Sequence, residues 1–273
     1  MAKPHKAGAY DAIIRHVFEQ CWRPGASTVA FSRDHLRAAA RALDHEISNI
    51  GDILYSYRYR RAMPLDIAER APADHLWVIR GTGDAGYAFV AVPADQEVVP
   101  NPLLAVTAVP DATPGIIERY AQSDEQALLA RVRYNRLLDV FTGITCYPLQ
   151  SHLRTKVPGI GQVETDELYV GLDRHGAHYV LPVQAKGGRD RMSIVQIEQD
   201  VALCCQRFPE LRCRAIGAQF MADEVIALFS FEDTADGVRM SAERHYRLVP
   251  SEQIGPEDLA RYRAAAEQAS GAA

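Results

Sequence analysis

Residues 161–171 read GQVETDELYVG, and residues 179–188 read YVLPVQAKGG. Between them, Asp173-Arg174-His175-Gly176 carries the residue types of a tight turn. The flanking runs are rich in β-branched and aromatic residues, which predicts two strands, 162–171 and 178–185. Side chains alternate faces along a strand. Glu164 and Asp166 therefore share one face of the first strand, and Gln184 and Lys186 share one face of the second. Pairing across the turn would bring a carboxylate, an amide oxygen and an amine together. Phosphodiester cleavage requires such a set: hard oxygen ligands for Mg²⁺ and a cation that offsets charge developing on phosphorus.

Outward from this pair, the C-terminal part alternates between helix and strand. Ser123 and Gln126 have capping-box spacing, and Leu128, Leu129, Val132, Leu137, Leu138 and Phe141 continue one helix. A second helix is expected over 193–207. Strands follow at 215–220, 225–231 and 245–249, and Gly255-Pro256-Glu257-Asp258 opens a last helix, with proline and acids in its first turn. This order predicts an α/β fold with a mixed sheet flanked by helices.

Asp166 and the Gln184-Ala185-Lys186 triplet resemble the PD-(D/E)XK superfamily, which includes type II restriction endonucleases and repair nucleases. There an acid ends one strand and (D/E)-x-K lies on the next; Thr165 stands in the place of the motif proline. The resemblance covers roughly residues 123–232. It implies a restriction-endonuclease-like core and Mg²⁺-dependent cleavage of double-stranded DNA, with Asp166, Gln184, Lys186 and Glu164 catalytic and the metal on Asp166, Gln184 and Glu164. It also draws attention to Gln196, since some branches place an assisting glutamine after the second strand. Gln184 departs from the usual acid, so a second carboxylate is required. Glu164 is the first choice and Glu125 the second, whereas Glu167 is expected to face away. Within this superfamily a stand-alone chain with an added DNA-reading domain implies a restriction enzyme, acting as a homodimer to cut both strands.

The N-terminal part predicts three helices and a hairpin. Ile13, Ile14, Val17 and Phe18 place a helix over 9–22. Ser32 is the expected N-cap of a second helix and Asn49 that of a third, which ends in the basic run Arg58–Arg61; Pro64 stops any helix. Two apolar runs, 76–79 and 87–92, flank Gly81–Gly86, a hairpin signal. This order looks like a winged helix-turn-helix, in which the last helix enters the major groove. The DNA-facing candidates are Tyr57, Arg58, Arg60, Arg61, Arg189 and Gln196. The prolines at 93, 100, 102, 110 and 114 imply that no regular element runs through this stretch. The reading is thus a winged-helix-like domain over 1–95, a linker over 96–122 and a nuclease domain over 123–273.

Composition limits the alternatives. Hydrophobic residues make up 48% of 273, enough for a sizeable core, and no stretch has the roughly 20 apolar residues of a bilayer span. The N-terminus lacks a secretory pattern, and the five cysteines show no C-x-x-C spacing, so reduced thiols and a cytoplasmic location are expected. A net charge of −5 on its face argues against nucleic-acid binding, but what matters is local concentration, and basic residues cluster at Arg58–Arg61, at Arg131, Arg133 and Arg136, and from Lys186 to Arg191. His152, His175 and His178 fit no metal-ligand spacing and read as turn or surface residues. Gly81–Gly86 matches G-x-G-x-x-G, but no helix follows, which excludes the dinucleotide-binding reading. The competing functional readings are a DNA-repair nuclease, a non-catalytic DNA-binding regulator on a decayed nuclease fold, and a protein-interaction module.

Overall fold

A computed structural model describes residues 6–83, 86–120, 125–187, 190–235 and 237–271. The N-terminal unit comprises α1 (Lys6–Cys21), β1 (Thr28–Ser32), α2 (Arg33–Ala42), α3 (Ile50–Tyr59), the single turn α4 (Leu65–Ala68), β2 (His75–Gly81) and β3 (Gly86–Pro93). β3 lies between β1 and β2, antiparallel to both. The apolar stripe of α1 packs Ile13, Ile14, Val17 and Phe18 against Leu36, Ile53, Trp77, Ile79 and Phe89. The caps form where the sequence places them. The Ser32 backbone N–H donates to His35 Nδ1 at 3.1 Å, and Asn49 Oδ1 accepts from the Gly51 N–H at 3.0 Å. Strand β1 was not predicted. Pro64, expected to end helical structure, instead precedes the first residue of α4. Its fixed φ suits a helix start, where no N–H is needed.

The remainder comprises β4 (Val106–Pro110), α5 (Gly115–Tyr120), α6 (Glu125–Tyr134), α7 (Leu137–Thr142), β5 (Thr145–Val157), β6 (Gly161–Leu172), β7 (His178–Lys186), α8 (Ile194–Arg207), β8 (Arg212–Cys213), β9 (Ala215–Phe220), β10 (Val225–Thr234), β11 (Gly237–Val249) and α9 (Pro256–Gly271). Among the described residues the strands form one large mixed sheet in the order β4-β11-β10-β9-β7-β6-β5, with the short β8 also pairing with β7. β7 and β9 run parallel and are joined through α8, the crossover that a parallel pair requires. β8 also runs parallel to β7, and β4 runs parallel to β11. Helices pack on the sheet's faces: Leu128, Leu129 and Val132 of α6 meet Leu181, Val183 and Ala185, while Ile194, Val195 and Ile197 of α8 meet Ala227 and Phe229. β7 is buried on both faces, and its sequence is correspondingly a near-continuous apolar run.

Three expectations change. The stretch 96–122 is not a bare linker, because β4 extends the sheet and α5 follows. Pro110 is tolerated there because it stands at the last position of an edge strand. The helix expected to run to Phe141 is broken after Tyr134, where Arg136 adopts a left-handed φ of 49° and α7 starts anew; Ser123, its expected cap, lies outside the described residues. β5, unpredicted, spans 13 residues. Among the described residues no helix is long and apolar enough to cross a membrane.

Candidate active site

The β6–β7 ladder starts at Leu172 opposite His178 and ends at Glu167 opposite Val183. One residue further on, a side chain takes over from the backbone: Asp166 Oδ2 accepts the Ala185 N–H at 2.8 Å. β6 meanwhile remains paired with β5, Thr165 opposite Leu153 and Glu164 opposite Arg154. The parting of β6 from β7 opens a cleft of about 300 Å³ whose lining includes Glu164, Asp166, Gln184, Lys186 and Gln196. The structure thus brings together all four expected catalytic residues and the expected assisting glutamine.

Gln184 is fixed in orientation. Its Nε2 donates to the Glu164 carbonyl oxygen at 3.0 Å and to Asp200 Oδ2 at 2.9 Å. A backbone carbonyl can only accept, so the amide nitrogen must face these two groups and Oε1 must face away from them. Gln196 Nε2 approaches that oxygen at 3.4 Å. Asp200, on α8, also accepts from Thr165 Oγ1 at 2.5 Å and so ties together residues from both β6 and β7. It is 1% exposed. Burial pushes its carboxyl up to about 7, against the opposing pull of the Thr165 and Gln184 hydrogen bonds. Sequence reasoning gave Asp200 no role, although a signal existed: it is an acid on the apolar side of α8, between the buried Ile197 and Val201.

Lys186 is nearly buried, and its Nζ lies 3.5 Å from Glu125 Oε1. Burial raises the Glu125 carboxyl, and nearby Asp166 adds to the rise while Lys186 opposes it. Burial also raises Asp166; Glu164 adds to this, whereas the Ala185 N–H, Lys186 and His152 work against it. Glu164 is turned to Arg154 at 2.8 Å. Of the two carboxylates considered to complete the site, Glu125 is therefore the one in contact with the lysine. Glu167 faces away as expected, held by Arg133 and by the Tyr169 hydroxyl at 2.6 Å. His152, read as a turn or surface histidine, lines the cleft in a left-handed conformation.

The donor set suits Mg²⁺. It offers only oxygen, from Asp166, Gln184 Oε1 and the Glu125 or Glu164 carboxylate, as a hard cation prefers. Burial holds both Asp166 and Glu125 above their ordinary range, with a smaller rise from a neighbouring carboxylate, and a bound cation would favour their ionised forms. Among the described residues no three His, Cys, Asp or Glu side chains are grouped as a metal cage.

α3 forms the opposite wall. Tyr55, Arg58 and Tyr59 line the cleft, and the Tyr59 hydroxyl donates to Gln199 Oε1 at 3.1 Å. Arg80 Nε of β2 donates to Glu198 Oε2 at 2.9 Å, a second tie between the N-terminal unit and α8. The predicted nucleic-acid residues divide. Arg58 and Gln196 lie in the cleft. Tyr57 does not: it is 4% exposed in the N-terminal core, and its hydroxyl donates to Asp11. On α3 it lies one turn from the core residues Ile53 and Leu54 and shares their face. Arg60 stacks over Tyr55 and is exposed, while Arg61 pairs with Asp11 at 3.0 Å, and neither lines the cleft. Arg189 lies outside the described residues.

No protein-family model, curated protein or solved structure matches the chain.

Proposed function

We propose that this chain is a Mg²⁺-dependent endonuclease of the PD-(D/E)XK type acting on double-stranded DNA, most simply a type II restriction enzyme working as a homodimer. The observation that carries this reading is the opening between β6 and β7, where Asp166, Gln184 and Lys186 meet. Asp166 and Gln184 Oε1 would hold the metal, with Glu125 as the second carboxylate in preference to Glu164. When bound, Mg²⁺ polarises the scissile phosphate and eases ionisation of the attacking water. Lys186, shielded from bulk water and beside Glu125, offsets the charge developing on phosphorus. Asp200, itself held by Thr165, keeps the Gln184 amide nitrogen on its side, so that the oxygen is left on the other.

The N-terminal unit supports the DNA assignment. Its helices and terminal hairpin have the order of a winged helix-turn-helix, and α3 carries Tyr55, Arg58 and Tyr59 across the cleft. One observation favours a second reading, a non-catalytic DNA-binding regulator: the amide at position 184 leaves no group of three charged or imidazole ligands among the described residues. Incubation of purified protein with supercoiled plasmid, with Mg²⁺, Mn²⁺ or EDTA, separates the two. Discrete fragments that need the divalent ion are expected. Retarded but intact plasmid in all three conditions is the result of the second reading.

A further inference from the structure

Beyond the catalytic residues, the cleft runs into a second cavity of about 430 Å³ beneath the β2–β3 hairpin, sharing Arg33, Arg58, Tyr87 and Gln162 with it. Its lining has the opposite charge character. Arg33, Arg58 and Lys156 contribute three cations, and among the described residues no carboxylate lines it. Arg58 is the informative one. Its Nε and Nη2 are buried with no hydrogen-bond partner, although the guanidinium stacks over the Tyr59 ring with Cζ 4.8 Å from the centroid. A buried charged donor left unsatisfied is costly. Arg33 is steered towards the same space by the Tyr87 hydroxyl, which accepts from its Nε at 3.2 Å. The walls are in backbone contact: a Cβ on Gly81 would lie 2.6 Å from the Ile160 carbonyl oxygen, so the hairpin seats directly on the β5–β6 turn.

We propose that this cavity is a phosphate-binding site. A tetrahedral oxyanion supplies several acceptors at once, matches a guanidinium fork and neutralises a cluster that has no acid among the described lining residues. Its natural occupant is a backbone phosphate of a DNA strand whose neighbouring phosphate lies beside Asp166 and Lys186. That assignment to DNA rests on the nuclease reading; the binding of phosphate does not. The charge division then has a purpose: acids at one end of the cleft gather the metal, and cations at the other anchor the strand.

The test needs no cleavage. With EDTA present and at low salt, a fluorescein-labelled DNA duplex is titrated with the wild type, Arg58→Gln, Lys156→Ala and the remote control Arg263→Ala, and inorganic pyrophosphate is tested for its effect on the melting temperature of each. The Arg58 and Lys156 variants should bind the duplex more weakly irrespective of its sequence. The slope of log K against log salt should be shallower by about 1 for each lost contact, and the control should match the wild type. If duplex affinity is equal throughout but pyrophosphate raises the melting temperature of the wild type and not of the two variants, the site is confirmed with a free phosphate compound as its occupant. Lys156 is exposed, so its variant keeps the test valid should Arg58→Gln fail to fold. Indistinguishable behaviour of wild type and Lys156→Ala on both probes overturns the proposal. Cleavage by a protein whose variants show neither altered salt slopes nor an altered response to pyrophosphate would sink this site alone, whereas altered slopes without cleavage would sink the nuclease reading alone.

Discussion

Asp200 Oδ2 accepts the Gln184 amide at 2.9 Å, while its Oδ1 accepts the Thr165 hydroxyl at 2.5 Å. One buried carboxylate on α8 thus fixes which end of the Gln184 amide looks towards the cleft. In Asp200→Asn the new side chain can still serve Thr165, but its own amide nitrogen then opposes Gln184 Nε2. Relief requires Gln184 to turn, which would present N–H groups to a cation. Cleavage should fall by roughly 10–100-fold, the usual range for a partner that orients a ligand. Circular dichroism and duplex affinity in EDTA should stay at wild-type values.

The same residue sets a pH dependence of stability. Burial lifts the Asp200 carboxyl from the ordinary 3.8 to about 7. Between those values the folded protein retains a proton that the unfolded chain has released. Stability contributed by this group is therefore greatest below the window and is lost as pH rises through it. Chemical denaturation at a series of pH values should show this decline in the wild type and a flatter profile in Asp200→Asn. Parallel profiles would exclude a buried, proton-retaining Asp200.

Glu125 and Glu164 are to be distinguished by substitution. Glu125 Oε1 lies 3.5 Å from Lys186 Nζ, whereas Glu164 is engaged by Arg154. Glu125→Gln should reduce Mg²⁺-dependent cleavage more than Glu164→Gln, and should raise the Mg²⁺ concentration needed for half-maximal rate. The reverse ranking would restore Glu164 as the second carboxylate.

The hairpin and the β5–β6 turn meet at a glycine that has no room for a side chain. Gly81→Val should destabilise the protein by about 1–3 kcal/mol, the usual cost of overpacking. It should also weaken duplex binding, because it would wedge open the cavity that holds Arg58. Thermal melting and anisotropy measured on the same preparation check both effects.

The sequence reveals the site better than it reveals the sheet around it. The strands carrying Asp166, Gln184 and Lys186 are legible because a turn of Asp and Gly separates two patterned runs, and α8 begins within a residue of the expected 193, with the Ser193 hydroxyl accepting the Val195 N–H in the structure. β5 escapes detection because most of its residues are exposed, so no apolar alternation marks it, and it holds Pro148 beside a register shift. β4 hides among prolines because an edge strand needs hydrogen bonds on one side only. The break at Arg136 depends on a left-handed backbone that apolar periodicity does not reveal. Tyr57 reads as a surface aromatic in the run YSYRYRR (55–61), but helix geometry turns it inward while Tyr55 and Tyr59 face the cleft. Asp200 is 34 residues from Asp166 in the chain, and only the α8 crossover brings it behind β6 and β7.

Lys186 provides the most direct test of the central claim, since it is the group whose chemistry the opening between β6 and β7 is proposed to serve. Plasmid cleavage in Mg²⁺ is compared for the wild type and Lys186→Ala, with duplex affinity measured in EDTA for both. The account predicts divalent-dependent cleavage by the wild type, its loss in the variant, and equal folding with near-equal affinity. Cleavage by Lys186→Ala at the wild-type rate would contradict it.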